Sequence, residues 1–231
     1  MKWLRSLLDD LAPHFESGGK FEKFAPVFEA TDTILFSTDE RTVSGPHVRD
    51  SVDIKRVMIL VVIALIPCYI FGAINIGYQK SLTFGYSSSW MENLITGAIS
   101  IIPIIAVTFA SGAFWELLFG IVRKHPISEG FLVTCALIPL TLPPSIPLWQ
   151  VAVATSFGIV IGKEIFGGVG MNIFNPALMA RAFLYFTYPV DISGDKVWAL
   201  APDGYSGPTA LSIPAGQTNA NAVDLLDQAS A

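Results

Sequence analysis

A hydroxyl-bearing residue, Thr209, lies in a stretch whose composition suits a rigid and exposed site. The stretch runs from Asp203 to Ser212 and reads Asp-Gly-Tyr-Ser-Gly-Pro-Thr-Ala-Leu-Ser. Glycine tolerates backbone conformations closed to other residues and proline fixes φ, so such a loop can hold a side chain exposed and rigid at once. From local composition alone, an ordinary polar turn is the simpler interpretation.

Other polar side chains lie within or beside apolar segments. Glu116 is about one turn from the end of an apolar run, where a carboxylate is costly unless it faces protein, water or an ion. The alternative is interfacial pairing with Arg123 or Lys124.

Asn172 and Asn175 follow a glycine-rich turn, and their spacing places them on one face of a predicted helix. Their amides suit hydrogen bonds to a heterocyclic ring, or else capping of the helix and contact with a neighbour.

The composition indicates a membrane protein. The 231 residues are 52% hydrophobic and only 14% charged, and the mean hydropathy is positive, which is too apolar for an ordinary soluble domain. The net charge of −5 argues against a nucleic-acid partner. Cys68 and Cys135 lie in apolar runs and are interpreted as buried small hydrophobic residues. The residues give no support for a metal site or for hydrolytic catalysis.

The apolar segments predict an all-α membrane protein: an N-terminal arm followed by about five transmembrane helices. The predicted spans are 57–78, 94–122, 129 to the proline run 139–147, 148–166 and 172–189. Residues 1–56 form the arm, which opens with an amphipathic helix. Residues 57–189 form the helix bundle, and residues 190–231 form a loop and a polar tail.

The distribution of Lys and Arg predicts the orientation. Eight of the 14 such residues lie in the first 56 positions, which predicts a cytoplasmic N-terminus. Five crossings then place Thr209 on the opposite side of the membrane. If the short third segment, which ends in prolines, is re-entrant instead of spanning, this placement inverts.

Several segments together resemble a known family, the subunit designated B of the sodium-translocating NADH:quinone reductases of bacterial inner membranes. The matching segments, in chain order, are His47-Val48-Arg49-Asp50-Ser51-Val52-Asp53, Phe114-Trp115-Glu116, Val122-Arg123-Lys124-His125, Glu129-Gly130-Phe131, Lys163-Glu164, Phe166-Gly167-Gly168, Asn175-Pro176-Ala177 and Asp203-Gly204-Tyr205-Ser206-Gly207. The related subunit of the Rnf complex, designated D, shares the flavin-attachment loop but lacks the long N-terminal arm, which favours the sodium pump.

The resemblance implies two flavin cofactors. It makes Thr209 the residue that carries FMN through a phosphoester bond, with Ser206 and Gly207 matching the attachment motif. Pro208 stands where the family usually has alanine, which removes one backbone N–H from the surroundings of the phosphate. A non-covalent riboflavin is implied in the region of Asn172 and Asn175.

The resemblance also implies a quinone-reducing site. In the family this site involves a Gly-Gly-Phe-Trp-Glu segment, matched here by Gly112, Ala113, Phe114, Trp115 and Glu116. Ala113 replaces the second glycine, and its methyl group would narrow a quinone cleft without abolishing it.

The implied role is a membrane subunit of a respiratory sodium pump. Electrons would pass from covalent FMN through riboflavin to ubiquinone, with sodium ions and the other subunits as partners. The implied fold is similar to urea channels, with two inverted five-helix repeats. Because family members are about twice as long, this chain is expected to be an N-terminal half that is inactive alone. The alternatives are an Rnf-type electron-transport subunit, a channel or transporter half without redox function, and a scaffold that only assembles with partners.

Overall fold

The computed structural model describes residues 2–15, 21, 25, 28, 45, 54–123, 130–194 and 197–200. All regular secondary structure in these residues is helical. The helices are α1 (Lys2–Phe15), α2 (Ile54–Phe84), α3 (Trp90–Arg123), α4 (Gly130–Leu140), α5 (Leu148–Gly162), α6 (Pro176–Thr187) and α7 (Pro189–Ile192). A 3-10 turn, Glu164–Phe166, follows α5. The prediction of an all-α membrane protein is therefore confirmed.

Three helical segments are long and apolar enough to cross a membrane, namely Val57–Phe84, Trp90–Arg123 and Leu148–Phe166. The remaining predicted spans correspond to α4, with 11 residues, and α6, with 12. A crossing needs roughly 20 residues. The prediction of about five crossings is thus supported for three segments of the described chain. Prolines limit the length of α4 and α6, because a proline in a helix interior removes a backbone hydrogen bond.

Helices α2 and α3 form an antiparallel pair whose backbones touch at two glycines. A Cβ atom placed on Gly97 would collide with the carbonyl oxygen of Ala73, and one on Gly77 would collide with that of Asn93. Small residues let membrane helices approach closely enough for van der Waals packing, which replaces the hydrophobic effect as the driving force in lipid. These glycines therefore determine the spacing of the first helix pair.

The hydrophobic core lies where α3, α4, α5 and α6 meet the proline-rich segment 141–147. Its buried members are Ile104, Ile138, Leu142, Ile146, Val151, Ala154, Ala177, Ala180, Leu184 and Ile192. Helix α6 packs tightly on α5, since a Cβ atom at Gly158 would collide with the carbonyl oxygen of Pro176. The core thus holds the shorter helices against the long α3.

The opening residues form α1, as predicted, with Leu8 buried and Trp3 among its exposed residues.

The two cysteines differ from each other in their exposure. Cys135 is buried, which confirms its interpretation as a small core residue, whereas Cys68 is exposed on α2, so its predicted burial is wrong. An apolar run in a spanning helix also includes the face turned away from the bundle, and hydropathy does not distinguish the two faces.

Candidate functional site

A cluster of buried charges lies at the end of α5. Lys163 directly follows the helix, and its ammonium group donates a hydrogen bond to Oε2 of Glu116 on α3. The same Nζ atom lies 3.2 Å from Oε1 of Glu164. The side chains of Lys163, Glu116 and Glu164 are 3%, 2% and 1% exposed, respectively. Charged groups at this degree of burial need compensating partners, since their desolvation is expensive.

Arg123 connects this cluster to the surface. Its Nη1 atom lies 3.5 Å from Oε2 of Glu164, and its guanidinium group stands 5.0 Å from the centroid of the Phe119 ring. The Arg123 side chain is one third exposed. Alternating charges therefore extend inward from the end of α3, through Arg123, Glu164 and Lys163, to Glu116.

The structure gives Glu116 a partner that the sequence analysis did not consider. Arg123, one of the two expected partners, contacts Glu164 instead, and Lys124 lies outside the described residues. The ion pair with Lys163 joins positions 47 residues apart. A lysine and a glutamate directly after an apolar run were the available signal, because ionisable residues at membrane depth mark functional sites by default.

The five residues expected at the quinone site divide between two faces of α3. Gly112 and Glu116 are buried, one helical turn apart. A Cβ atom at Gly112 would lie 2.5 Å from Sγ of Cys135 and 2.9 Å from the Phe131 ring. Phe114 is 59% exposed, so it points away from the packed interior.

The other two members of that segment have intermediate positions. Ala113 and Trp115 are both half-buried. The Trp115 ring contacts Phe114 edge-to-face, with centroids 5.2 Å apart, and lies 6.3 Å from the ring of Phe119. Phe114 and Trp115 therefore form an aromatic surface on the outer side of α3, whereas the carboxylate of Glu116 lies on its buried side.

Asn172 belongs to a glycine-rich turn between α5 and α6. Gly167, Gly168 and Gly170 all have positive φ, a conformation that glycine adopts without a Cβ penalty. Oδ1 of Asn172 accepts a hydrogen bond from the backbone N–H of Gly170 at 3.2 Å, and its amide donates to the carbonyl oxygen of Phe174 at 2.8 Å. These local bonds fix the side chain within the turn.

Asn175 is the N-cap of α6. Its Oδ1 atom accepts hydrogen bonds from the backbone N–H groups of Ala177 at 2.9 Å and Leu178 at 3.4 Å. Pro176 then occupies the first helical position, where its missing N–H is harmless. Because α6 begins only at Pro176, the predicted placement of Asn172 and Asn175 on one helical face is wrong. The capping alternative is confirmed for Asn175.

Both asparagines nevertheless line one cavity of about 290 Å³. Its polar lining consists of Thr134, Lys163, Asn172 and Asn175. Its apolar walls include Met58, Val133, Leu137, Val169, Ile173 and Phe174. Small-molecule pockets begin at about 300 Å³ and combine mostly apolar walls with a few polar groups. Lys163 is thus shared between the cavity and the charge cluster.

The residues expected to carry FMN, namely Ser206, Gly207 and Thr209, lie outside the described residues. The last described residues before them, 197–200, begin beside Ser145, which precedes α5 at the end opposite Lys163. There, Ser145 Oγ donates to the carbonyl oxygen of Val197 at 2.8 Å, and Gln150 Nε2 donates to Asp191 Oδ2 at 2.6 Å. The 15 residues of α5 correspond to a length of about 22 Å.

These features define a multi-pass α-helical membrane protein that has a cavity of about 290 Å³ beside a buried charge cluster. The chain belongs to the NQR2, RnfD, RnfE family, whose model matches residues 41–229.

Similar proteins include several bacterial chains that are named as the subunit designated B of Na(+)-translocating NADH-quinone reductase. The chain from Chromohalobacter salexigens is 49% identical, covering 92% of the present chain and 56% of its relative. The chain from Stutzerimonas stutzeri is 48% identical, covering 91% and 58%. One from Pseudomonas aeruginosa is 45% identical, covering 92% and 58%. The present chain therefore spans somewhat more than half the length of these relatives.

Proposed function

We propose that this chain forms part of the membrane subunit of a sodium-pumping NADH:quinone reductase in a bacterial inner membrane. The observation that carries the proposal is the 45–49% identity over about 92% of the chain to proteins bearing that name. In this role the chain holds covalent FMN at Thr209 and non-covalent riboflavin in the cavity. Ubiquinone is the electron acceptor, near the segment from Gly112 to Glu116, and the other subunits and sodium ions are its partners.

The cavity supports the riboflavin part of this proposal by its chemistry. A flavin ring is flat and largely apolar, with carbonyl and nitrogen atoms along one edge, and the cavity combines apolar walls with the polar residues Thr134, Lys163, Asn172 and Asn175. The cap of α6 uses Oδ1 of Asn175, so a ligand would meet the Nδ2 amide of that side chain. Bound flavins supply one-electron and two-electron redox chemistry. The residues that line the cavity would bind the ring and orient it.

The proposal also includes a cytoplasmic N-terminus, with Thr209 on the opposite side of the membrane.

Attachment of FMN can be tested directly on the complete subunit, produced together with a flavin-attaching enzyme. We expect ultraviolet fluorescence of the denatured chain in a gel, and an intact mass increased by FMN less one water. Thr209→Ala should abolish both signals. Ser212→Ala, which removes a hydroxyl from the same stretch, is the matched control and should retain them. An unmodified mass for the unsubstituted chain would contradict the covalent-flavin proposal and favour a channel half without redox function.

A further inference from the structure

Phe174 contributes an aromatic residue to the wall of the cavity. Among the described residues that line this cavity, it is the only one with an aromatic ring. Phe174 is 50% exposed, so the protein does not cover it. Its ring meets that of Phe166, with centroids 6.3 Å apart and planes at 66°. Whichever ring supplies the edge in this contact, Phe166 leaves at least one face of the Phe174 ring uncovered.

The backbone of Phe174 is held between two polar residues of the same cavity. Its carbonyl oxygen accepts a hydrogen bond from the amide of Asn172 at 2.8 Å, and the next residue, Asn175, is the N-cap of α6. The aromatic ring is thus fixed in sequence and in space beside two amide side chains. Ligand sites commonly combine apolar or aromatic walls with a few polar groups that orient the ligand. A flat ring with a polar edge suits this combination.

We infer that the ring of Phe174 stacks on the isoalloxazine ring of riboflavin and so determines the plane in which the flavin lies. This inference rests on the function proposed above. Aromatic rings prefer offset stacking or edge-to-face contact, and such pairs stabilise a complex beyond the effect of the area they bury. The edge-to-face contact with Phe166 supports the Phe174 ring on one side, and the flavin occupies an uncovered face.

Stacking makes two kinds of substitution at Phe174 behave differently. Phe174→Leu keeps an apolar side chain but removes the flat face, and should weaken riboflavin binding about two- to tenfold. Phe174→Tyr and Phe174→Trp keep a flat ring and should retain the affinity. These two variants should also quench the bound flavin. An excited flavin takes an electron from a phenol or indole ring in contact with it and returns the electron without emission, whereas a phenyl ring is too difficult to oxidise.

The test uses the purified complete subunit carrying Thr209→Ala, so that riboflavin is the only flavin proposed to remain on the chain. Riboflavin is removed and titrated back, its affinity is measured by equilibrium dialysis, and the excited-state lifetime of the bound flavin is measured by time-resolved emission. Phe186→Leu and Phe186→Trp are the matched controls, because Phe186 is 82% exposed on α6 and does not line the cavity. We expect both controls to leave the affinity and the lifetime unchanged. Thermal unfolding verifies that each variant is folded.

The outcomes separate this inference from the proposed function. If the chain with an unsubstituted Phe174 binds no riboflavin, the proposed cavity ligand is wrong and the inference fails with it. If riboflavin binds but Phe174→Leu leaves its affinity unchanged, or Phe174→Trp leaves its lifetime unchanged, only the inference is overturned. An equal loss of affinity in the Leu, Tyr and Trp variants would also overturn it, because Phe174 would then only stabilise the turn. Weaker binding in Phe174→Leu, together with retained binding and a shortened lifetime in Phe174→Tyr and Phe174→Trp, would support it.

Discussion

The ammonium group of Lys163 and the carboxylate of Glu116 form a buried ion pair that joins the end of α5 to α3. Charges removed from water stabilise a structure only when their geometry and remaining hydrogen bonds compensate the desolvation. Here Glu164 is a second carboxylate beside the ammonium group, and Arg123 lies near Glu164 at the edge of the cluster. The cluster is therefore a unit, and changing one member affects the others.

The first prediction concerns the stability of this unit. Lys163→Met leaves the two carboxylates buried beside an apolar side chain, and should lower the free energy of unfolding by about 3–5 kcal/mol. The double variant Lys163→Met/Glu116→Leu removes the pair together and should be less destabilised than Lys163→Met alone. Thermal or denaturant unfolding in detergent measures both. Additive effects of the two substitutions would contradict the direct contact, because residues that interact give non-additive changes.

The second prediction concerns the close approach of α2 and α3. Gly97→Ala places a methyl group against the carbonyl oxygen of Ala73, so the helices must separate. Overpacking of this kind typically costs about 1–3 kcal/mol. We expect a lower melting temperature and a smaller monodisperse fraction in size-exclusion chromatography.

Gly72→Ala is the matched control for this prediction. A Cβ atom at Gly72 meets nothing within 4 Å. Alanine is favoured over glycine in a helix interior by about 0.5–1 kcal/mol, so this variant should be as stable as the unsubstituted protein, or more stable. Equal destabilisation by both substitutions would show that the contact between Gly97 and Ala73 does not determine the spacing of the helices.

The sequence predicts the long helices well because their signal is local. The spans beginning at residues 57, 94 and 148 agree with α2, α3 and α5 to within a few residues, except that α2 runs six residues beyond its predicted end at residue 78. The third and fifth spans are shorter than predicted, since apolar composition continues through segments that proline prevents from being helical. Hydropathy reports preference for lipid, whereas the end of a helix depends on backbone hydrogen bonding.

The site is less predictable because it depends on contacts between distant segments. The cost of burying Glu116 predicts that it needs a partner, and neighbours in sequence were the natural candidates. The packing of α3 near the end of α5 supplies Lys163 instead. The sequence analysis correctly grouped Asn172 and Asn175, which line the same cavity. Asn172 lies in a turn and Asn175 caps α6, so the two do not share a helical face as predicted. The region of Thr209 lies outside the described residues, so its role stays a prediction.

The third prediction concerns the contact between α3 and α4. Gly112→Ala would bring a methyl group to 2.5 Å from Sγ of Cys135, and the helices must shift to relieve the collision. Because Gly112 lies one turn from Glu116, we expect a higher KM for ubiquinone-1 in the assembled complex, with a smaller effect on kcat. The overpacking should also lower stability by about 1–3 kcal/mol.

Cys135→Ala provides a partial rescue for this substitution, since it removes the sulfur atom that the new methyl group meets but leaves the Phe131 ring 2.9 Å from it. The double variant Gly112→Ala/Cys135→Ala should recover stability and KM toward the values of Cys135→Ala alone. Gly72→Ala, where the added methyl group meets nothing within 4 Å, is the control for a change in methyl content that makes no new contact. Lack of any rescue would exclude the Cys135 contact as the cause.

The last prediction separates two functions of Asn175. Its Oδ1 atom caps α6, and its Nδ2 amide is proposed to contact the flavin. Asn175→Asp retains the acceptor and should preserve stability, because aspartate is as good an N-cap as asparagine. The aspartate places a carboxylate where the ligand needs a donor, so riboflavin content per assembled complex should fall. Asn175→Ala loses both functions and should also be less stable by about 1 kcal/mol. Unfolding curves, together with flavin released on acid precipitation, measure the two effects separately. Full riboflavin content in a stable Asn175→Asp variant would assign Asn175 to the cap alone.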